Sequence, residues 1–180
     1  MLEELQRWDT QGEIELYYFD EAGFSQVPSL PYAWSPIGQP LELPAYSHSK
    51  RLNVLGFMNR QGKLIHHATT DKVTTDVVIE AFEKLIAKKP PETITVVVLD
   101  NARFHRSAKF KREGLGWLDH RVIVIYLPPY SPELNLIEIL WRKIKYEWLP
   151  VSSYLSFEKL CNNVQHVLSR FGSEYRITFV

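Results

Sequence analysis

Three carboxylates stand at positions where they could jointly hold divalent cations. Asp20 closes the apolar run IELYYFD, Asp100 closes TITVVVLD, and Glu138 lies within LPPYSPELNLIEILW. Carboxylate oxygens are ligands that Mg²⁺ and Mn²⁺ accept, and such ions activate water and stabilise a phosphoryl transition state. The predicted chemistry is metal-dependent phosphoryl transfer, provided that the fold brings the three side chains together.

Both aspartates also have a simpler interpretation as polar residues at the ends of strands. Asp20 shares the alternation of Ile14, Leu16 and Tyr18, so we expect it to face the covered side of the sheet at the strand's end. Asp100 follows a strand that is apolar on both faces, where a buried charge is costly unless it is paired or ligated. These positions favour the interpretation as ligands.

Glu138 has the most favourable predicted position of the three acids. It lies about 100° around the helix from Ile137, which places it on the flank of the apolar stripe. A salt bridge to Arg142, four residues later, is the competing explanation and is worth only a few tenths of a kcal/mol. The rival acid, Glu133, is explained by its place in the first helical turn. We therefore predict Glu138 as the third ligand.

Polar residues next to the acids are candidates for supporting contacts. Asn101 and His105 follow Asp100 within one turn, and Asn135 shortly precedes Glu138. His105 could be a ligand, a contact to a DNA phosphate or a structural histidine, and the sequence leaves these alternatives open.

A local basic segment is the candidate DNA contact. The chain has 21 basic and 21 acidic side chains, so its formal net charge of zero argues against binding nucleic acid by bulk charge. Residues 103–112 nevertheless contain five basic residues and no acid, and these could position DNA through its backbone without reading sequence. The five are Arg103, Arg106, Lys109, Lys111 and Arg112.

Hydrophobic periodicity predicts a mixed α/β sheet of about five strands with helices on its faces. Helices are expected from about Thr74 to Lys88, from a start at Ser131-Pro132-Glu133 with Ser131 as N-cap, and from Phe157 to Phe171. Residues 23–47 read as an irregular or hairpin insertion. The predicted strands are 14–20, 51–59, 63–69, 93–99 and 121–127.

The remaining features describe the compartment and exclude several classes of enzyme. Cys161 is the single cysteine and cannot form an internal disulfide, and the amino terminus lacks an apolar signal segment. The apolar runs are too short to span a membrane, so we expect a cytoplasmic protein, associated with the nucleoid if it is bacterial. Neither a Gly-rich nucleotide motif nor a Cys/His zinc pattern occurs in the sequence.

The sequence resembles the mariner-like superfamily of insertion-sequence transposases. DEAGF at 20–24, VVLDNARFH at 97–105 and LPPYSPELNLIEILW at 127–141 are similar to its three motifs. The resemblance implies a DDE endonuclease with a ribonuclease H-like fold, in which Asp20, Asp100 and Glu138 are catalytic. The 37 residues between Asp100 and Glu138 are similar to the family's spacing. One departure is Leu136, where the family usually has proline.

The resemblance also implies cofactors and partners. Two Mg²⁺ or Mn²⁺ ions, about 3.5–4 Å apart in such sites, would serve cleavage of transposon ends and transfer into target DNA. A homodimer is expected, and residues 1–180 are expected to be a single catalytic domain without the helix-turn-helix part of full-length members, which a separate chain could supply. The alternatives are another ribonuclease H-like nuclease and a catalytically silent DNA-binding or dimerisation remnant of a transposase.

Overall fold

A five-stranded mixed sheet, in the strand order β3-β2-β1-β4-β5, forms the centre of the protein. The computed structural model describes residues 1–28, 37–39, 42–43, 50–129 and 131–179. Strands β1, β2 and β3 form an antiparallel meander, and β4 and β5 lie parallel to β1. The strands are β1 (Glu15–Ser25), β2 (Arg51–Met58), β3 (Leu64–Thr69), β4 (Thr95–Leu99) and β5 (Val122–Tyr126).

Helices cover both faces of the sheet, as the sequence predicts. Buried side chains of α1, α4 and α5 form one hydrophobic core with one face of the sheet, and those of α2 and α3 form a second core with the other. Within the described ranges, no helix is long and apolar enough to cross a membrane. The helices are α1 (Leu2–Gln11), α2 (Thr75–Lys88), α3 (Ala108–Gly116), α4 (Ile137–Lys143) and α5 (Phe157–Ser169).

Helix α2 and strand β4 confirm the sequence predictions closely. The side chain of Thr74 caps α2 by accepting a hydrogen bond from the backbone N–H of Val77. The predicted bounds, about Thr74 to Lys88, agree with the structure, and the buried face of α2 consists of Val78, Ala81, Phe82 and Leu85. All five residues of β4 are buried, as expected for a strand covered on both faces. Helix α1 was not predicted; of its apolar side chains, Leu5 is the fully buried one in the core.

Strand β1 is longer than predicted, and this changes the position of Asp20. The strand continues through Ser25, so residues 23–25 belong to the sheet; most of the predicted insertion at 23–47 lies outside the described residues. Asp20 is therefore inside a strand and not at its end, because its partner strand β2 pairs with β1 as far as Ser25. The predicted face of Asp20 is retained, since Leu16, Tyr18 and Ala22 all lie in the α4 core.

The start of the helix that carries Glu138 also differs from the prediction. Ser131 makes no capping hydrogen bond, Pro132–Leu134 forms a single 3-10 turn, and α4 begins at Ile137. The physical reason is tertiary: the side chain of Asn135 donates a hydrogen bond to the carbonyl of Phe19 in β1 (2.9 Å). This contact holds Asn135 in an extended conformation and interrupts the helix that the local capping signal favours.

A glycine on β2 allows α4 to approach the sheet beside Asp20. Gly56 is the residue opposite Asp20 on β2. A β-carbon at this position would lie 2.8 Å from the ring of Trp141 and 3.0 Å from the Cδ1 of Ile137. Both side chains are buried and neither can move freely, so the absence of a side chain at Gly56 lets the helix of Glu138 pack closely on β1 and β2.

Candidate active site

The three predicted carboxylates come from three elements at one end of the sheet. Asp20 lies in β1, Asp100 directly follows β4, and Glu138 lies in the first turn of α4. The parallel register pairs Tyr18 with Val98, so Asp20 and Asp100 are each two residues further along adjacent strands. Adjacent strands are about 4.8 Å apart, and the two aspartates therefore lie at the same level of the sheet.

Asp20 is the acid of the site with the most strongly shifted pKa. Burial, the neighbouring charge of Glu21 and the charges of Glu138 and Asp100 raise the pKa of Asp20 to about 7. A hydrogen bond from the backbone of Glu21 opposes this shift only in part. The metal-free fold therefore disfavours the charged form of Asp20, as expected for an acid that a bound cation would neutralise.

Asp100 and Glu138 line the same open cavity of about 480 Å³. Burial and the charge of Asp100 raise the pKa of Glu138. In the described part of the chain Glu138 forms no ion pair, so the competing salt bridge to Arg142 is absent. The side chain of Asp100 is 54% exposed, which differs from the expectation that this acid would be buried. The strand ends before Asp100, and the residue therefore escapes the two covered faces.

His105 is fully buried and links Asp100 to Glu21. Its Nδ1 lies 2.9 Å from Oδ1 of Asp100, and its Nε2 lies 2.8 Å from Oε1 of Glu21. Burial alone would lower the pKa of His105, but the hydrogen bonds to the two carboxylates raise it to about 9. The bond from His105 is also the largest cause of the lowered pKa of Asp100. His105 is thus a partner of a predicted ligand and is too buried to contact a DNA phosphate.

The two asparagines donate hydrogen bonds to backbone carbonyls around the cavity. Asn101 donates a hydrogen bond to the carbonyl of Leu127 (2.6 Å), and both residues line the cavity. Asn135 connects the loop before α4 to β1 through Phe19. Its buried Oδ1 has no hydrogen-bond partner among the described residues, and Asn135 also lines the cavity. Both asparagines therefore line the cavity, and their role as supporting residues of a cation site stays a prediction.

The structure separates the five basic candidates into different groups. Arg106 lines the cavity next to Asp100. Lys109 pairs with Asp76 on α2, and Arg112 lies against Glu113. Arg103 and Lys111 are exposed and do not line the cavity. The predicted basic segment is therefore not one continuous surface at the site, and Arg106 is its member closest to the acids.

Two further basic residues near Glu138 were not predicted from the sequence as members of the site, and Arg142 was considered only as a salt-bridge partner. Arg142 and Lys145 line a second cavity of about 390 Å³ that also includes Glu138. Lys145 is half-buried, with its Nζ 5.6 Å from the ring centre of Phe24, and burial and the charge of Arg51 lower its pKa. Spacing could have identified Lys145, because a residue seven positions after Glu138 lies on the same face of a helix.

The site has the charge and donor type that suit a hard divalent cation. Three features fit such a cation. They are the disfavoured charge of Asp20 in the metal-free fold, the Oδ1 of Asn135 that has no partner among the described residues, and the oxygen ligands that the acids supply. Within the described ranges, however, no three His, Cys, Asp or Glu side chains are gathered as the ligands of one ion. Joint ligation by Asp20, Asp100 and Glu138 therefore stays a prediction.

The fold and the position of the acids define the class of protein to which the chain can be compared. Residues 15–161 match the family described as DDE superfamily endonuclease. Because the match covers most of the chain, the protein belongs to this family.

Individual relatives agree with this assignment. An uncharacterized 39 kDa protein of insertion element IS630 from Shigella sonnei is 25% identical over 139 residues, covering 76% of this chain and 39% of that protein. The Mos1 mariner transposase in a paired-end complex with Mn has a TM-score of 0.60 at 18% identity, covering 97% of this chain and 53% of that one. The Mos1 catalytic domain gives 0.56 at 16% identity, covering 93% and 75%.

These similarities confirm the ribonuclease H-like fold predicted from the motifs. The chain spans less than two thirds of the length of the insertion-element protein and of the Mos1 chain in the Mn complex. The activity, substrates and partners of those longer proteins are therefore matters of proposal for this chain.

Proposed function

We propose that this domain is the catalytic domain of a DNA transposase, which cleaves strands at transposon ends and joins the freed 3′ end to target DNA. The observation that carries the proposal is that the pKa values of Asp20 and Glu138 are both raised, in part by the charge of Asp100, in a chain of the DDE endonuclease family. The Mn of the Mos1 paired-end complex supports a divalent cofactor. Homodimers acting on paired ends are part of the same proposal.

Asp20, Asp100 and Glu138 would hold Mg²⁺ or Mn²⁺, two ions in the complete site. When bound, the cations would supply Lewis-acid stabilisation of the charge that develops on the phosphoryl oxygens. Asn101 and Asn135 hold the cavity walls in place through their bonds to the carbonyls of Leu127 and Phe19.

The test of the proposed function compares three nucleic-acid substrates in the presence of Mn²⁺. We expect the chain to nick a duplex that carries the inverted-repeat end of its own element, and to leave an RNA–DNA hybrid and a four-way junction intact. Glu138→Gln should remove the nicking. Preferential cleavage of the hybrid or the junction would replace the proposal with another ribonuclease H-like nuclease. No cleavage and no Mn²⁺ binding by calorimetry would indicate a silent module.

Arg106 is the proposed contact to the DNA backbone nearest to the acids. Arg106→Ala should weaken binding to all duplex sequences equally and reduce the slope of log K against log salt by about one, because one phosphate contact is lost. Lys111→Ala is the matched control, since Lys111 is a basic residue that does not line the cavity. Fluorescence anisotropy across a salt series measures both slopes, and equal slopes for the two variants would contradict the contact.

A further inference from the structure

Glu21 and His105 form a buried bridge on the side of the sheet opposite Asp20. Glu21 follows Asp20 in β1 and therefore points to the other face. There, the aromatic rings of Phe19 and Phe110 pack around the imidazole, with ring centres 5.5 Å and 5.8 Å from that of His105. The bridge joins two residues that are 84 positions apart in the sequence.

Hydrogen bonds hold both the imidazole ring and the backbone of His105. Both ring nitrogens face carboxylate oxygens, which only accept hydrogen bonds, so both nitrogens donate. The hydroxyl of Tyr126 donates to the carbonyl of His105 (2.5 Å) and holds the backbone of the same residue. Rotation of the ring would break both bonds to Glu21 and Asp100.

The bridge determines which oxygen of Asp100 is available. Oδ1 of Asp100 accepts hydrogen bonds from His105 Nδ1 and from the backbone N–H of Ala102, each at 2.9 Å. Two donors on one oxygen orient the carboxylate and leave Oδ2 for the cavity. Mutating a partner that orients a metal ligand in this way typically costs about 10–100-fold in metal affinity or activity.

We infer that Glu21 acts through His105 as a positioning residue for Asp100, presenting Oδ2 to the cation site. This inference rests on the proposed function, since it assigns Asp100 to a metal. A purely structural bridge would instead only fasten β1 to the loop that follows β4. The two interpretations differ in what happens to metal affinity when the fold is preserved.

The experiment replaces the bridge with apolar side chains of similar size. The double variant Glu21→Leu/His105→Phe keeps the aromatic packing, and replacing a buried ion pair by apolar residues is often neutral for stability. We expect its Mn²⁺ affinity, measured by calorimetry, to fall about 10–100-fold. His105→Phe alone should lose the same factor, because Glu21 has no effect without His105. Glu21→Gln keeps an acceptor oxygen and should retain nearly wild-type affinity.

Controls and a second measurement separate the outcomes. Glu80→Gln is the matched control, since Glu80 pairs with His67 at 3.8 Å on the exposed surface and should leave affinity unchanged. Mn²⁺ binding by the double variant as tight as that of the wild type would overturn this inference alone. A wild-type chain that binds no Mn²⁺ would overturn the proposed function as well. In the unmodified chain, NMR should show the His105 Nδ1 proton still bonded to Asp100 after Mg²⁺ is added, and loss of that bond would contradict the inference.

Discussion

Asp100→Asn is expected to reduce Mn²⁺-dependent DNA nicking at least about 1,000-fold while leaving the fold intact. The oxygen of the new amide can still accept the hydrogen bonds of His105 and Ala102, so the structural role of Asp100 is preserved. The amide nitrogen then faces the cavity in place of Oδ2. A donor there repels a cation, and losing about 4 kcal/mol of transition-state stabilisation corresponds to this factor in rate.

Nicking of supercoiled plasmid and circular dichroism measure the two parts of this result. Asp119→Asn is the matched control: it makes the same chemical change on an exposed acid after α3 and should leave nicking unchanged. Retained nicking by a folded Asp100→Asn variant would remove Asp100 from the site.

Asp20→Asn is expected to stabilise the metal-free domain near pH 8 by about 2–4 kcal/mol. The fold disfavours the charged form of Asp20, as its raised pKa indicates, and asparagine removes that charge. The pKa of Asp20 is higher in the folded state, about 7, than its ordinary value of 3.8. The wild type therefore loses stability as pH rises from 3.8 to about 7, and the variant lacks this contribution. The free energies of unfolding should converge well below pH 3.8, where the acid is protonated in both states.

Urea unfolding with a chelator across this pH range measures the effect. Asp119→Asn, the same chemical change on an exposed acid, is again the matched control. Above about pH 6.5, both the wild type and Asp20→Asn should lose further stability. The pKa of His105 is raised from 6.5 to about 9 in the fold, so its contribution to stability is complete below pH 6.5 and is lost as pH rises through 9. Equal unfolding free energies of the wild type and Asp20→Asn near pH 8 would contradict the conclusion that the fold disfavours the charged form of Asp20.

Mn²⁺ should reverse the ranking of these two proteins. A cation that binds only the folded state stabilises it in proportion to its affinity, and the wild type keeps all three carboxylates. The variant should gain less stability from the same Mn²⁺ concentration. Removal of the Asp20 carboxylate would then explain both the higher stability without metal and the smaller stabilisation by Mn²⁺.

Elements whose stability depends on local pattern were predicted well. The buried face of α2 follows from the helical period of its apolar residues. The burial of β4 follows because its residues are apolar at both alternating sets of positions, whereas a half-exposed strand is apolar at one set only. The strands at 51–59 and 63–69 were also predicted; they pair as the antiparallel hairpin of β2 and β3, with Gly62 between them in the left-handed conformation. These patterns require no knowledge of distant residues.

The errors occur where distant residues override local signals. Gly23 reads as the end of a strand, but pairing with β2 extends β1 to Ser25. Ser131 reads as an N-cap, but the bond from Asn135 to β1 delays the helix to Ile137. The predicted burial of Asp100 was also wrong, since β4 ends before this residue and its side chain is 54% exposed.

The sequence by itself determined the types of residue in the site, the strand or helix that would carry each acid, and the face on which Asp20 lies. Alternation and helical periodicity are properties of a single segment, so they can be read from that segment alone. Tertiary structure alone decided that Glu21 would reach His105, that Arg106 and Lys145 would lie near the acids, and that Asp20 would carry the raised pKa. Burial and charge coupling depend on distances between segments, which only the packed sheet and helices fix.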